Sequence, residues 1–185
     1  GVYNHVTDSI KGWQMAGVGN FSKEKIKGWQ FAGVFNFSNK EIRGGQIAGV
    51  INYTKKLKGF QFGLINIADT SEGYSFGLLN FVRKGYHKLS ISTNETTQLN
   101  AALKTGNHKL YSILTAGMNL DNNRKLYSFG YGIGKDSRLN NHLSITTELS
   151  SQTLYAGSWD YLNLLNKFSL NLQWQPAKGF SIYAG

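Results

Sequence analysis

One sixteen-residue pattern, written several times in succession, constrains this chain more than any other feature. Ile10-Lys-Gly-Trp-Gln-Met-Ala-Gly-Val-Gly-Asn-Phe-Ser22 aligns with Ile26-Lys-Gly-Trp-Gln-Phe-Ala-Gly-Val-Phe-Asn-Phe-Ser38 and with Ile42-Arg-Gly-Gly-Gln-Ile-Ala-Gly-Val-Ile-Asn-Tyr-Thr54 at a spacing of sixteen. Leu57-Lys-Gly-Phe-Gln-Phe-Gly-Leu-Ile-Asn-Ile67 and Gly73-Tyr-Ser-Phe-Gly-Leu-Leu-Asn-Phe81 continue it with one residue fewer before the Asn, and Gly1-Val-Tyr-Asn4 matches the tail of another copy. Self-similarity at a short fixed period marks an array of equal supersecondary units. Residues 1–85 therefore read as one β-repeat array and residues 86–185 as a second region.

Within a copy the polarity alternates with period two, as in an extended strand. Gln14, Gln30, Gln46 and Gln61 recur on one side together with Asn20, Asn36, Asn52, Asn66 and Asn80, and these amides are read as the structural repeat. The other side carries large apolar groups, with Trp13, Trp29, Phe60 and Tyr74 forming an aromatic row. Two architectures use such a unit. If each copy is one membrane-spanning strand with a turn, the aromatic side faces lipid and the amide side a polar lumen. If each copy is one coil of a β-solenoid, equal residues stack and the amides bond to their counterparts above and below. The period favours the solenoid, because successive strands of a barrel reverse direction. The residue missing at the Ala-Gly step of the later copies would flip a straight strand's faces, so a bulge or corner is expected there.

From Tyr86 the repeat stops and an antiparallel meander is expected. Leu89–Asn94, Gln98–Thr105, Leu110–Met118, Leu143–Leu149 and Phe168–Trp174 read as strands, with a further one from Phe180. Phe129-Gly-Tyr-Gly-Ile-Gly134 puts three glycines on one face and large groups on the other. The joins are Lys104-Thr-Gly-Asn107, Asp121-Asn-Asn-Arg124 and Pro176-Ala-Lys-Gly179. About eight strands with short turns alternating with longer loops fit an up-and-down barrel.

The Gly-x-Gln-x-Ala-Gly-x-x-Asn copies resemble the surface-repeat proteins of Gram-negative cell envelopes. Leu126-Tyr-Ser-Phe-Gly-Tyr-Gly-Ile-Gly134, Leu164-Leu-Asn-Lys-Phe168 and Lys178-Gly-Phe-Ser-Ile182 are similar to strands of bacterial outer-membrane β-barrels. The resemblance implies an accessory or occluding subunit of a larger outer-membrane assembly, with no enzymatic activity. The ending Tyr183-Ala-Gly185 departs from the terminal aromatic residue of such barrels, and the opening at Gly1, without Met and inside a repeat, reads as a mature or trimmed product.

Composition narrows the function classes. With 41% hydrophobic and 14% aromatic residues the chain is not disordered, and no Cys removes disulfide scaffolds and thiolate metal sites. Charged residues are only 16%, against roughly 25% in ordinary soluble domains. No run of eighteen apolar residues is present, which leaves β-strands as the way to cross a bilayer. His5, His87, His108 and His142 lie apart without metal-ligand spacing, and no nucleophile elbow occurs. Most carboxylates sit in expected turns, whereas Glu148 lies on a strand as an inward group expected to pair with Lys or Arg. Gly130-Tyr-Gly-Ile-Gly134 lacks the Lys and the following helix of a phosphate loop. The Asn-x-Ser/Thr matches at Asn20, Asn36 and Asn52 are by-products of the repeat.

The net charge of +10 is concentrated at turns, including Lys23, Lys25, Lys40, Lys55, Lys56, Arg83 and Lys84. It matches acidic headgroups or edge protection better than nucleic acid, for which no RNP, OB or helix-turn-helix signature is present. The expectation is an all-β, antiparallel up-and-down outer-membrane-type barrel with its N-terminal half built from the repeats. It takes no cofactor or metal and has a lipid bilayer or lipopolysaccharide and other outer-membrane subunits as partners. The alternative is a periplasmic or cell-surface β-solenoid that recognises a protein or glycan through the aromatic row.

Overall fold

A computed structural model describes residues 1–120, 126–157, 163–177 and 179–185, and among these every regular element is a β-strand. The chain divides into two compact units, residues 1–86 with 105–107, and residues 87–104 with 108–185.

The first unit is a parallel β-solenoid of about five coils. Its strands are β1 (Tyr3–Val6), β2 (Ile10–Ala16), β3 (Gly19–Ser22), β4 (Ile26–Ala32), β5 (Phe35–Ala48), β6 (Ile51–Leu57), β7 (Phe60–Phe62), β8 (Ile65–Ser71), β9 (Tyr74–Phe76) and β10 (Leu79–Val82). One ladder runs β1-β3-β5-β6-β8-β10, and a second joins β2, β4, the end of β5, β7 and β9. Each coil contributes a strand to both, turning at the Gly-Val corner and again at a polar, Lys-rich turn. All pairs are parallel and set equal residues side by side, as in Gln14↔Gln30↔Gln46↔Gln61 and Asn20↔Asn36↔Asn52↔Asn66↔Asn80.

The expectation of an antiparallel barrel is corrected for this half, and the solenoid alternative describes it. The physical reason lies in the coil. Two short strands and two turns bring the chain back to its starting side after one period, so equal residues meet in parallel register. The shortened copies keep their register because the missing residue falls at the corner. Ile47 pairs with Phe62 and Ile51 with Ile65, so the three corner residues 48–50 stand opposite two, Gly63 and Leu64.

Backbone proximity explains the glycine column Gly28, Gly44, Gly59 and Gly73. Gly28 and Gly44 have φ of 148° and 132°, and a Cβ on Gly44 would stand 2.0 Å from the carbonyl oxygen of Gly28. The apolar core is small: Ile26, Ile42 and Leu57 stack in one column and Ala68 and Val82 in another, with Ile10 packed against them. Most of the other buried side chains of this unit are polar.

The second unit is an antiparallel meander of seven strands in sequential order: β11 (Tyr86–Ser92), β12 (Leu99–Gly106), β13 (Tyr111–Met118), β14 (Tyr127–Arg138), β15 (Leu143–Tyr155), β16 (Asn163–Ala177) and β17 (Phe180–Ala184). β11 and β17 are its edges, so the expected closure of about eight strands is corrected to an open sheet of seven. The sheet is nevertheless strongly curled. Lys104 on β12 bonds Glu148 on β15 and lies 5.3 Å from the ring centroid of Tyr183 on β17. In a flat sheet, strands three and five places apart stand roughly 14 and 24 Å away at about 4.8 Å per strand. The side chains meet only because the sheet wraps into a half-barrel. Lys104–Gly106 continues β12 instead of forming a join, and Asp121–Arg124 lies outside the described residues.

Candidate functional site: amide ladders inside, apolar faces outside

Both units turn amides and hydroxyls inward and large apolar groups outward. In the solenoid, Asn4 donates its Nδ2 hydrogen to Oδ1 of Asn20 at 2.9 Å, and the chain continues through Asn36, Asn52, Asn66 and Asn80 at 2.8 to 3.0 Å. The second Nδ2 hydrogen closes the corner of the following coil. Asn20 donates to the carbonyl of Phe31 at 2.7 Å, Asn36 to Ile47 at 2.8 Å and Asn52 to Phe62 at 2.7 Å. The glutamine ladder runs the other way. Gln30 donates to Gln14, Gln46 to Gln30 and Gln61 to Gln46, each at 2.8 Å, and Ser75 donates to Gln61 at 3.2 Å. Opposed donor directions let the two columns of dipoles offset each other. Because Gln30, Gln46, Gln61, Asn20 and Asn52 are fully buried, these bonds replace the water that would otherwise be demanded.

The aromatic row occupies one outer face. Trp13 pairs with Trp29, Trp29 with Gly45, Gly45 with Phe60 and Phe60 with Tyr74, so the four predicted residues share one ladder with a glycine gap. The Trp29 ring fills that gap, lying where a Cβ of Gly45 would be. Two residues further along each strand, Met15, Phe31, Ile47, Phe62 and Phe76 form a parallel row that the sequence reading did not include, although strand alternation puts it on the same face. Trp13 is 73% exposed and Tyr74 47%, whereas Trp29 and Phe60 are half-buried. On the other sheet Phe21, Phe37 and Tyr53 stack with centroids 5.0 and 4.5 Å apart.

Charges sit at the turns. Glu41 receives a hydrogen bond from Arg43 at 2.7 Å and lies 3.3 Å from Lys58. The Arg43 hydrogen bond holds its carboxyl below the usual range, outweighing the opposing effect of desolvation. Lys56 and Glu72 pair across coils at 2.9 Å, and their mutual hydrogen bond raises the lysine and lowers the glutamate.

In the second unit the concave face carries Lys104, Tyr111, Ser128, Asp136, Ser144, Thr146, Glu148, Gln152, Asn171 and Gln173. The convex face carries Phe129, Leu149, Leu164, Phe168, Leu170, Leu172, Trp174 and Ile182, all exposed. Glu148 points inward, as read from the strand, and its partner is Lys104. Tyr111 donates its hydroxyl to the same oxygen at 2.7 Å. Gly134 makes this possible, since a Cβ there would stand 2.4 Å from the Tyr111 ring. Neither Lys104 nor Tyr111 was singled out from sequence: they lie 44 and 37 positions from Glu148, on other strands. Among the described residues no group of three or more His, Asp or Glu is placed to hold a metal ion.

Compared with protein-family models, with curated proteins and with solved structures, the chain matches none.

Proposed function

We propose that this protein is a non-enzymatic component of an outer membrane, a structural or accessory subunit of a larger envelope assembly. In this reading its antiparallel sheet lies in the bilayer and its solenoid serves as a rigid docking body. The observation that carries it is the polarity of the second unit. Strands β14 to β16 are 12 to 15 residues long, more than the roughly 9 to 11 needed to span. Their outer face exposes Tyr127, Phe129, Leu149, Leu164, Phe168, Leu170, Leu172 and Trp174, with Lys135, Ser151 and Asn166 among them, while Ser128, Ser144, Thr146, Gln152, Asn171 and Gln173 are buried on the inner face. A water-soluble sheet would bury the Phe168, Leu170, Leu172 and Trp174 side and wet the other. The charged pair Lys104 with Glu148 on the concave face is on the side that lipid would not touch.

The reading is tested by purification and quenching. The protein should leave membranes only with detergent, and brominated acyl chains should quench a variant whose only tryptophan is Trp174. A chain that is monodisperse in plain buffer, with Trp174 unquenched in vesicles, rules the proposal out.

A second reading rests on the exposed row of Trp13, Phe62, Tyr74 and Phe76 on the solenoid. An apolar, aromatic surface of this kind binds a protein or glycan by stacking and burial. Alanine at Trp13 and Trp29 should then abolish capture of the partner with the far-ultraviolet spectrum unchanged. Unfolding on that change assigns both residues to packing.

A further inference from the structure

Charge is segregated along every coil of the solenoid. Residues 28–39, 44–54, 59–68 and 73–82 contain no charged side chain, whereas the turns at 23–27, 40–43, 55–58, 69–72 and 83–84 hold ten Lys or Arg and four Asp or Glu. Each charge-free stretch runs out along one ladder, rounds the Gly-Val or Gly-Leu corner and returns along the other. The corner residue is apolar every time, and Val34, Val50, Leu64 and Leu78 are all exposed. The outer faces on both sides of this ridge are apolar too, with Phe31 and Phe62 on one and Phe37 and Ile51 on the other. The unit is therefore a wedge with an apolar ridge and charges confined to the opposite side.

The ridge asks nothing of water. Its amides bond from coil to coil: Val34 donates to the carbonyl of Val18 at 2.9 Å, Val50 to Val34 at 3.1 Å, Ile65 to Val50 at 2.8 Å and Leu79 to Leu64 at 3.0 Å. The carbonyls just before the corner, those of Phe31, Ile47 and Phe62, are taken by the asparagine ladder, and that of Phe76 accepts from Asn66 at 2.8 Å. A glycan or a polar protein surface needs hydrogen-bonding groups to orient it, and the side chains of the ridge offer none. Hydrocarbon makes the reverse demand, that backbone groups be satisfied within the protein. Length decides how deep such a wedge goes. Val34 lies seven residues after Lys27 and six before Lys40, at most about 23 Å of extended chain at roughly 3.3 Å per residue. One leaflet supplies about 15 Å of a hydrocarbon core about 30 Å thick. The ridge can thus cross one leaflet with the turns at its headgroups, and it falls short of the opposite surface. Glu41 and Glu72 are already paired with Arg43, Lys58 and Lys56, so the turns present a positive rim, which anionic lipid attracts.

We propose that the solenoid is a single-leaflet membrane wedge. The ridge of Val34, Val50, Leu64 and Leu78 enters the acyl chains of one leaflet, and the Lys- and Arg-rich turns engage anionic phosphate headgroups. The inference rests on the membrane reading above for the presence of a bilayer, and it extends lipid contact from the antiparallel sheet to the first unit. The buried amide ladders acquire a purpose in it: they let a β-structure present only apolar side chains to lipid while every coil keeps its polar groups paired inside.

The chain has no cysteine, so a nitroxide can be attached at one introduced cysteine at a time. Leu64→Cys and Val50→Cys mark the ridge, Lys40→Cys and Lys55→Cys the turns, and Phe168→Cys the outer face of β16. Each labelled 185-residue chain is combined with vesicles of phosphatidylethanolamine and phosphatidylglycerol. Ridge labels should collide with a water-soluble nickel complex about tenfold less often than turn labels, because a hydrated ion does not enter hydrocarbon, and more often with oxygen. Replacing phosphatidylglycerol by phosphatidylcholine should weaken that exclusion, and equal exclusion in the two vesicles overturns the role given to the turns. Ridge and turn labels equally open to nickel overturn the wedge and leave the face to a protein or glycan. If Phe168 is shielded in those same vesicles, the second unit still inserts, so the two readings fail separately. A shielded ridge with Phe168 open supports the wedge and takes the sheet out of the bilayer. Ridge labels that broaden one another and sharpen on dilution with unlabelled chain place a second copy over the ridge, which overturns the inference as well.

Discussion

The solenoid and the half-barrel solve one problem, a polar interior under an apolar surface, with opposite strand directions. Parallel, in-register coils bring each residue against its own kind, so Asn20 meets Asn36 and Gln30 meets Gln46. Antiparallel strands bring unlike residues together, as Lys104 and Tyr111 meet Glu148 and Asn171 donates to Thr146 at 3.3 Å. The first arrangement works only if the sequence repeats. The second works without any repeat, and this explains why the repeat fades at the point where strand direction begins to alternate.

The largest effect expected from breaking this comparison is at the glycine column. Gly44→Ala sets a Cβ 2.0 Å from the Gly28 carbonyl at a φ of 132°, and neither backbone can yield without shifting a coil. Strain and overpacking together should cost about 5 kcal/mol and collapse the array. Gly12→Ala has positive φ but open space, so about 1–2 kcal/mol is expected from the same substitution. Denaturant melts of the two variants followed by circular dichroism check the ratio, and equal losses would show that stacking of backbones is not the reason for glycine.

Next in size is the amide column. Asn36→Leu leaves the Asn20 donor, the Asn52 acceptor and the Ile47 carbonyl without their bonds, and should cost about 4 kcal/mol. Asn171→Leu on the concave face of the half-barrel breaks one long bond to Thr146 and should cost less than about 1 kcal/mol. If both variants lose the same stability, the ladder has no cooperative value beyond its individual bonds.

How far this fold could be read from sequence follows from the same contrast. Side-chain alternation is identical in parallel and antiparallel strands, so it made the inner amides and the outer aromatic row legible, while strand direction was signalled only by the sixteen-residue period, which favoured the solenoid. A sharper signal was present. A glycine kept at the same place in every copy, as Gly12, Gly28, Gly44, Gly59 and Gly73, is needed where equal backbones stack, and an antiparallel barrel never juxtaposes those positions. Three glycines on one face of β14 were legible, but the Tyr111 ring that one of them accommodates was not, because it comes from another strand. The Lys104 partner of Glu148 required the curl of the sheet, which period-two patterning does not encode. Closure of the second half into a full barrel was an inference from strand number, and the edges β11 and β17 do not support it.

Within the half-barrel, the Lys104 and Glu148 side chains are only 8% and 13% exposed, so removing one charge strands the other. Glu148→Gln should destabilise the chain by about 3 kcal/mol. The double change Lys104→Met with Glu148→Leu should recover all but about 1 kcal/mol, as apolar replacement of a buried pair often does. A double-mutant cycle in denaturant measures the difference. Additive losses would mean that the pair does not hold the curl, and the polar interior of this unit would then tolerate exchange far better than that of the solenoid.

The smallest expected effect concerns the surface of the array. Glu41 has its carboxyl lowered from 4.5 chiefly by the Arg43 hydrogen bond, so the folded form prefers the ionised group more than the unfolded form does. Its contribution is therefore complete above the unfolded value and fades as the pH falls through the lowered, folded value. Glu41→Gln should reduce the melting temperature slightly near neutrality, and the gap from the parent should close as the pH falls through the lowered, folded value. The internal amide ladders carry no titratable group, so Asn36→Leu should keep its full deficit across the same range. A Glu41→Gln gap that persists in acid would assign the effect to packing of the irregular stretch of β5 between Ser38 and Glu41, and not to the ion pairs of Glu41.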